Sequence, residues 1–183
     1  MNSRDQPDLI VDDRWLLRPW TTADKEVVAS AYSDPAIQLW IRRSLDLPEA
    51  EDSIAKWNRD WKEEVGAYWA VARRDDGFVV GWAALVIIDL EAGLGEVAYW
   101  VVSGARGCGV ASIATATLAS WAVDELGLHR IELHHSVHNF ASCRVATKAG
   151  FELEGTQRSA LLHQDGWHDM HTHTYFGKGL DGQ

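Results

Sequence analysis

One stretch constrains this chain more than any other: Gly95-Glu96-Val97-Ala98-Tyr99-Trp100-Val101-Val102-Ser103-Gly104-Ala105-Arg106-Gly107-Cys108-Gly109-Val110-Ala111-Ser112. Its first part is an apolar run that reads as a buried strand. From Val110 onward apolar residues recur at steps of three and four, through Ile113, Ala114, Leu118, Trp121, Ala122 and Leu126, which is the period of a helix. The chain must therefore pass from strand to helix through Arg106-Gly107-Cys108-Gly109-Val110-Ala111. The first N–H groups of a helix lack partners within it, so such a turn is a ready cradle for phosphate oxygens.

Two phosphate ligands fit the cradle. Read from Gly107, the turn is G-x-G-x-x-S, one residue from a dinucleotide-binding fingerprint, with Glu132 about where that motif wants its ribose acid. Read from Arg106, it is R-x-x-G-x-A. The dinucleotide reading has specific difficulties. That fold usually begins its sheet with the fingerprint, whereas here three candidate strands precede it. Its third glycine is Ser112, and the hairpin signal Arg74-Asp75-Asp76-Gly77 is foreign to a parallel sheet.

The rest of the chain supplies the context. Leu9 to Arg18 reads as a first strand, ending at Pro19. Thr21-Thr22-Ala23-Asp24 has the spacing of a helix cap for a helix to about Tyr32, and Ser33-Asp34-Pro35 restarts a shorter one. A longer helix from Pro48 to Glu64 carries Ile54, Trp57 and Trp61 on one face. Ala67 to Arg74 and Phe78 to Asp89 form a hairpin, with Gly81 marking a bulge or a close backbone approach. The organising strand is fourth. Gly127 stops the helix after it, and His129 to Val137 is a fifth strand. Asn139 opens a helix ending at Ala149-Gly150, and Phe151 to Leu161 and Trp167 to Phe176 close the chain as a hairpin around Gln164-Asp165-Gly166.

No repeat or linker interrupts this order, and 183 residues suit one domain, 1–183. The formal charge of −10 excludes a duplex nucleic-acid binder and suits a cationic partner such as an amine. Cys108 and Cys143 make no disulfide framework, and no apolar run reaches membrane-spanning length; a reduced, cytoplasmic protein is expected. Of the histidines, His134 and His138 share a strand face, as do His171 and His173. No cysteine or carboxylate completes a tetrahedral set at recognisable spacing, so no metal is expected.

The element order resembles the GNAT superfamily of N-acetyltransferases, and three motifs carry the likeness. Arg106-Gly107-Cys108-Gly109-Val110-Ala111 resembles its acyl-CoA loop. Asn139-Phe140-Ala141-Ser142, followed by Lys148-Ala149-Gly150-Phe151, resembles its N-x-x-S helix and terminal x-G-F. Asp165-Gly166-Trp167-His168-Asp169-Met170 looks like the late hairpin of the ribosomal-protein, RimJ/RimL-like branch. The resemblance spans roughly Leu9 to Phe176. It implies an α/β (α+β) fold with a mixed, mostly antiparallel sheet of about seven strands, splayed between strands 4 and 5 and flanked by helices.

The resemblance also implies acetyl-CoA as co-substrate and assigns roles. Backbone N–H groups from Arg106, Gly107, Cys108, Gly109, Val110, Ala111 and Ser112 hold the pyrophosphate, aided by the Arg106 guanidinium. Val101 and Val102 bond the pantetheine arm, with the Val102 N–H expected to polarise the acyl carbonyl. Asn139 caps its helix and reaches the arm, and Ser142 is the expected acid for the departing thiolate, or else only a cap. Relatives often use a tyrosine there, but Tyr99 and Tyr175 lie on strands and fit the helix position poorly. Glu96 is the expected base, with His134 the second candidate.

The acceptor is expected between the N-terminal helices and the last hairpin, with Trp40, Trp57, Trp61 and Tyr68 as an aromatic wall. The resemblance points to a protein N-terminal α-amine. A small-molecule amine or antibiotic, and a non-catalytic acyl-CoA-binding module, are the alternatives. Tryptophan-rich helices are compatible with a homodimer.

Overall fold

Several helix starts lie where the sequence supplies acceptors for free N–H groups. In the computed structural model, which describes residues 5–177, a single 3-10 turn, Thr22–Asp24, leads into α1 (Lys25–Ser33). The Asp24 carboxylate accepts from the Thr21 N–H and hydroxyl and takes a bidentate ion pair from Arg18 at 2.7 and 2.8 Å. The Asp34 side chain accepts from the Ala36 N–H and caps α2 (Pro35–Gln38). Asp46 and Glu49 form a capping box at the start of α3 (Leu47–Lys62), whose Ile54, Trp57 and Trp61 are buried as the spacing predicts. The other helices are α4 (Val110–Leu126) and α5 (Phe140–Lys148).

The strands are β1 (Leu9–Ile10), β2 (Trp15–Pro19), β3 (Ala67–Arg73), β4 (Val79–Asp89), β5 (Leu94–Val101), β6 (Arg130–Ser136), β7 (Glu152–His163) and β8 (Gly166–Phe176). There are eight rather than about seven because the first expected strand folds back on itself. The Asp12 carboxylate accepts from the N–H groups of Arg14 and Trp15 at 2.8 and 2.9 Å, a turn that sets Leu9 against Leu17. The expected fourth and fifth strands are thus β5 and β6.

All eight strands form one sheet in the order β1-β2-β3-β4-β5-β6-β8-β7. Every neighbouring pair is antiparallel except β5 with β6. That parallel pair is joined only at Leu94, Gly95 and Glu96; beyond Glu96 the two strands part. This is the expected splay. Side chains alternate across the sheet, and both faces are covered. Trp100 packs with Trp20, Val28, Ile54 and Trp57 from the N-terminal side, and Val97, Ile131 and Leu133 pack with Val110, Leu118 and Ala146 of α4 and α5.

Gly81 sits where two backbones nearly touch. It lies opposite Val101, the β3–β4 register shifts between Val71 and Ala72 beside it, and a Cβ on Gly81 would stand 2.6 Å from the Trp100 carbonyl oxygen. The obstacle is backbone, which cannot swing aside. Gly81→Ala is expected to destabilise the protein by roughly 1–3 kcal/mol, read as a lower urea midpoint with unchanged slope. An unchanged midpoint would mean that the strand pair relaxes freely.

Candidate active site

Past Glu96 the inner edge of β5 has lost its partner, and the register fixes which of its groups are free. Gly81 and Val101 are opposed, and the Val102 N–H donates to the Val80 carbonyl at 2.9 Å. That pairing makes Gly81 and Val101 a non-hydrogen-bonded pair, so the Val101 N–H points away from β4 into the gap. The expectation for Val102 is therefore corrected: its donor is spent on the sheet. Val101 holds the free one. Its carbonyl accepts from Arg106 Nε at 3.1 Å.

The loop beyond β5 is built for an anion. Gly107 and Gly109 have φ of +80° and +81°, angles that side chains resist, and a Cβ on either would meet nothing within 4 Å. Gly109 precedes α4, and the first intrahelical bond runs from the Ile113 N–H to its carbonyl. The N–H groups of Val110, Ala111 and Ser112 are left without helical partners. Cys108 is exposed beside them. Arg106 behaves differently from the expectation. Its guanidinium pairs with Asp34 at 2.5 Å and so docks the loop onto the start of α2.

Across the gap, α5 begins at Asn139, whose side chain accepts from the Ser142 N–H at 3.0 Å. Asn139 is the cap, so the Ser142 hydroxyl is free of that duty. It accepts instead from the Tyr99 hydroxyl at 2.9 Å. The expectation that Tyr99 fits poorly is thus overturned: a phenol reaches the site from the strand. Burial pushes its pKa up to about 12, so it is a protonated donor at neutral pH. Tyr175 instead packs its ring against Phe151 with centroids 5.4 Å apart.

On the opposite face of the sheet the parallel register sets Glu96 beside Glu132. Arg130 Nε donates to Glu132 Oε1 at 2.7 Å, and His134 Nε2 lies 3.0 Å from Glu132 Oε2. Thr172 Oγ1 is 3.1 Å from His134 Nδ1, and Gln157 donates to that hydroxyl. Burial raises the Glu96 carboxyl above the usual range; His134 opposes the shift and Glu132 adds to it. Two neighbouring carboxylates in a half-buried site would attract an ammonium ion.

These groups surround one cavity of about 720 Å³, the size of a small-molecule site. Val101, Tyr99, Ser142, Asn139, His134 and the loop from Arg106 to Ser112 (Cys108 excepted) line it, whereas Glu96 and Val102 do not. Glu96 interacts by charge with His134, which does line it. At the acceptor end stand Trp40, Leu161, His163 and Met170. Of the expected aromatic wall only Trp40 lines the cavity; Trp57, Trp61 and Tyr68 are buried in the core. Sequence reading also missed a chain of polar contacts near Ser136, which lines the cavity. Asp165 lies 2.9 Å from His168 Nε2, and His168 Nδ1 lies 2.7 Å from Ser136 Oγ. Burial lowers the pKa of His135 and His173, on the α5 side of the sheet.

A mostly antiparallel sheet split beside a strand–glycine turn–helix is the architecture of the acetyltransferase structures this chain resembles. Residues 14–152 match the acetyltransferase (GNAT) domain, and the chain belongs to that family. Over 160 residues it is 25% identical to the uncharacterised N-acetyltransferase YoaA of Bacillus subtilis, covering 86% of this chain and 90% of that one. RimL and MccE are two of the solved structures that share its fold. RimL, a ribosomal α-N-protein acetyltransferase in complex with coenzyme A, superposes with a TM-score of 0.85 at 16% identity, over 93% of this chain and 98% of that chain. The microcin C7 self-immunity acetyltransferase MccE, in complex with acetyl-CoA and AMP, gives 0.81 at 18%, over 91% and 94%. Acetyl-CoA is the co-substrate, and the free N–H groups of the α4 turn and of Val101 fit its pyrophosphate and its arm. Among the described residues no helix is long and apolar enough to cross a membrane.

Proposed function

We propose that this enzyme moves the acetyl group of acetyl-CoA onto a primary amine, foremost the N-terminal α-amine of a ribosomal protein, by direct attack in a ternary complex. One observation carries the reading: proton donors and proton acceptors open onto the same cavity from opposite faces of the split sheet. Ser142 and Tyr99 stand on the α5 face, and His134, backed by Glu132 and Glu96, stands on the other. The thioester between them has its carbonyl within reach of the Val101 N–H, which stabilises the developing oxyanion.

The amine reaches the site as an ammonium ion. The Glu96–Glu132 pair attracts it, and His134 accepts its proton, directly or through water. The free amine attacks the acetyl carbon, a C–N bond forms, and the C–S bond breaks. The thiolate takes a proton from Ser142, whose oxygen is replenished by Tyr99; the nitrogen's second proton passes to water as the amide forms, and Tyr99 regains its proton from solvent before the next turnover. The RimL likeness and the −10 charge support a protein amine terminus, and the fold likeness to MccE keeps small amines within the test. Two free cysteines are compatible with the cytoplasm.

The test is thiol release with acetyl-CoA across a panel of ribosomal-protein N-terminal peptides and small amines. Peptide turnover well above that of the small amines is expected. Turnover only with small amines would replace the acceptor, and tight coenzyme A binding with no turnover would leave a binding module. Glu96 adds a pH signature. Its pKa is raised, so its carboxylate forms only above the usual range, and kcat/KM for the amine should fall as pH drops through that raised value. Glu96→Gln should lower kcat/KM about 10–100-fold and change the shape of that acidic limb, leaving the part that His134 sets, as a pH–rate profile would show. A limb identical to the parent's in Glu96→Gln would remove Glu96 from the attraction of the ammonium ion.

A further inference from the structure

Behind the thiol side of the site, four metal-binding side chains from three elements come together. His135 of β6 and His171 of β8 are directly opposed in the ladder, His173 lies two residues further along the same face of β8, and Cys143 comes down from α5. One ligand atom from each lies within 4.8 Å of all the others. The sequence hides this set because its cysteine is not near its histidines in any recognised spacing; only the packing of α5 on the sheet completes it.

The rings are poised as ligands. His135 Nδ1 lies 2.8 Å from the Ser136 carbonyl, which can only accept. The ring proton is therefore on Nδ1, and Nε2 presents a bare lone pair, the second-sphere arrangement that orients a ligating imidazole. His135 Nε2 is buried with no hydrogen-bond partner among the described residues, and so are His171 Nδ1 and both nitrogens of His173. An unpaired buried nitrogen is destabilising, and one such nitrogen on each of three adjoining rings can be satisfied by a shared partner. His135 and His173 are 4% and 1% exposed, so bulk water does not fill that role.

We propose that His135, Cys143, His171 and His173 form a closed tetrahedral site for a transition-metal ion, Zn2+ foremost. Three imidazoles and a thiolate suit Zn2+, Co2+ or copper and exclude Mg2+ and Ca2+, which take oxygen ligands. In such a site neighbouring ligand atoms stand about 3.3–3.6 Å apart given the usual Zn–N and Zn–S lengths, so small side-chain rotations close this cluster. Binding converts the Cys143 thiol to thiolate and releases its proton to solvent. With four protein ligands there is no open position, so the ion is structural. It ties the first turns of α5 to β6 and β8 and so steadies Ser142, the neighbour of Cys143. The proposal is independent of the acceptor.

The test uses the full chain, stripped with a chelator and titrated with Zn2+ against a chromophoric competitor, and with Co2+ by absorption. One Zn2+ per chain is expected, with a Co2+ spectrum of tetrahedral intensity and a thiolate-to-metal charge-transfer band. Cys143→Ser should remove that band, and both Cys143→Ser and His135→Gln should weaken Zn2+ binding at least ~10-fold. Alkylation mapping covers the case in which the variants fold poorly: Zn2+ should protect Cys143 in the parent while the exposed Cys108 reacts regardless. Absence of stoichiometric Zn2+ uptake, variants that bind like the parent, or a Cys143 that Zn2+ does not protect would each overturn the proposal.

Discussion

Gly107→Glu is expected to weaken acetyl-CoA binding at least ~100-fold, or roughly 2.8 kcal/mol, while the protein remains folded. Two effects combine. A side chain at φ of +80° carries left-handed strain of about 1–2 kcal/mol. The new carboxylate also enters a cradle whose free N–H groups and helix dipole are arranged for negative oxygens, and it would repel the pyrophosphate there. The position is open, since a Cβ added to Gly107 would have nothing within 4 Å, so the substitution forces no repacking of the core. Calorimetric titration with coenzyme A measures the effect, and a melting curve close to the parent's establishes that the fold persists. Binding within a few-fold of the parent would show that the loop does not grip the pyrophosphate.

Ser142→Ala is expected to lower kcat about 100-fold while leaving the KM for acetyl-CoA nearly unchanged. The α5 cap is supplied by the Asn139 side chain, so removing the Ser142 hydroxyl leaves that bond in place. What disappears is the link between the leaving thiolate and Tyr99, whose proton is held by burial at a pKa of about 12. Tyr99→Phe should reduce kcat by about 10-fold or more, and the double variant should be little worse than Ser142→Ala, because the two hydroxyls act in series. Steady-state kinetics on the four proteins check this. Multiplicative losses would mean two independent proton donors, and a rise in KM alone would make both residues binding groups.

The acceptor end sets these effects in context. Trp40 reaches the cavity edge-on to His163 and His168, with centroids 5.8 and 6.4 Å away, and the late hairpin closes over it. In that hairpin the Asp169 carboxylate accepts from the Ser159 N–H at 2.8 Å, where Ser159 takes an unusual φ of 46° and the β7–β8 register slips. The strained bulge in β7 is thus fastened by Asp169 of the facing strand.

Local chemistry made much of this fold legible beforehand. The helix beginning at Val110, the cap at Asn139, the buried face of α3 and the Asp-Gly turn after β3 each depend on residues within a few positions of one another, and each lies where the sequence places it. The glycine cradle was legible for the same reason: tolerance of a positive φ is a property of glycine itself. The tertiary structure decided matters that depend on pairing between distant segments. Whether Val101 or Val102 offers its N–H is set by the β4–β5 register, and one residue reverses the answer. Tyr99 meets Ser142 across 43 positions only because the sheet splits after Glu96 and α5 packs over the opening. Trp57 and Tyr68, which could equally have faced a ligand, went to the core where their rings stack on each other. Cys143 joins three histidines for the same physical reason: backbone periodicity fixes which face a side chain takes, but only packing decides what meets it there.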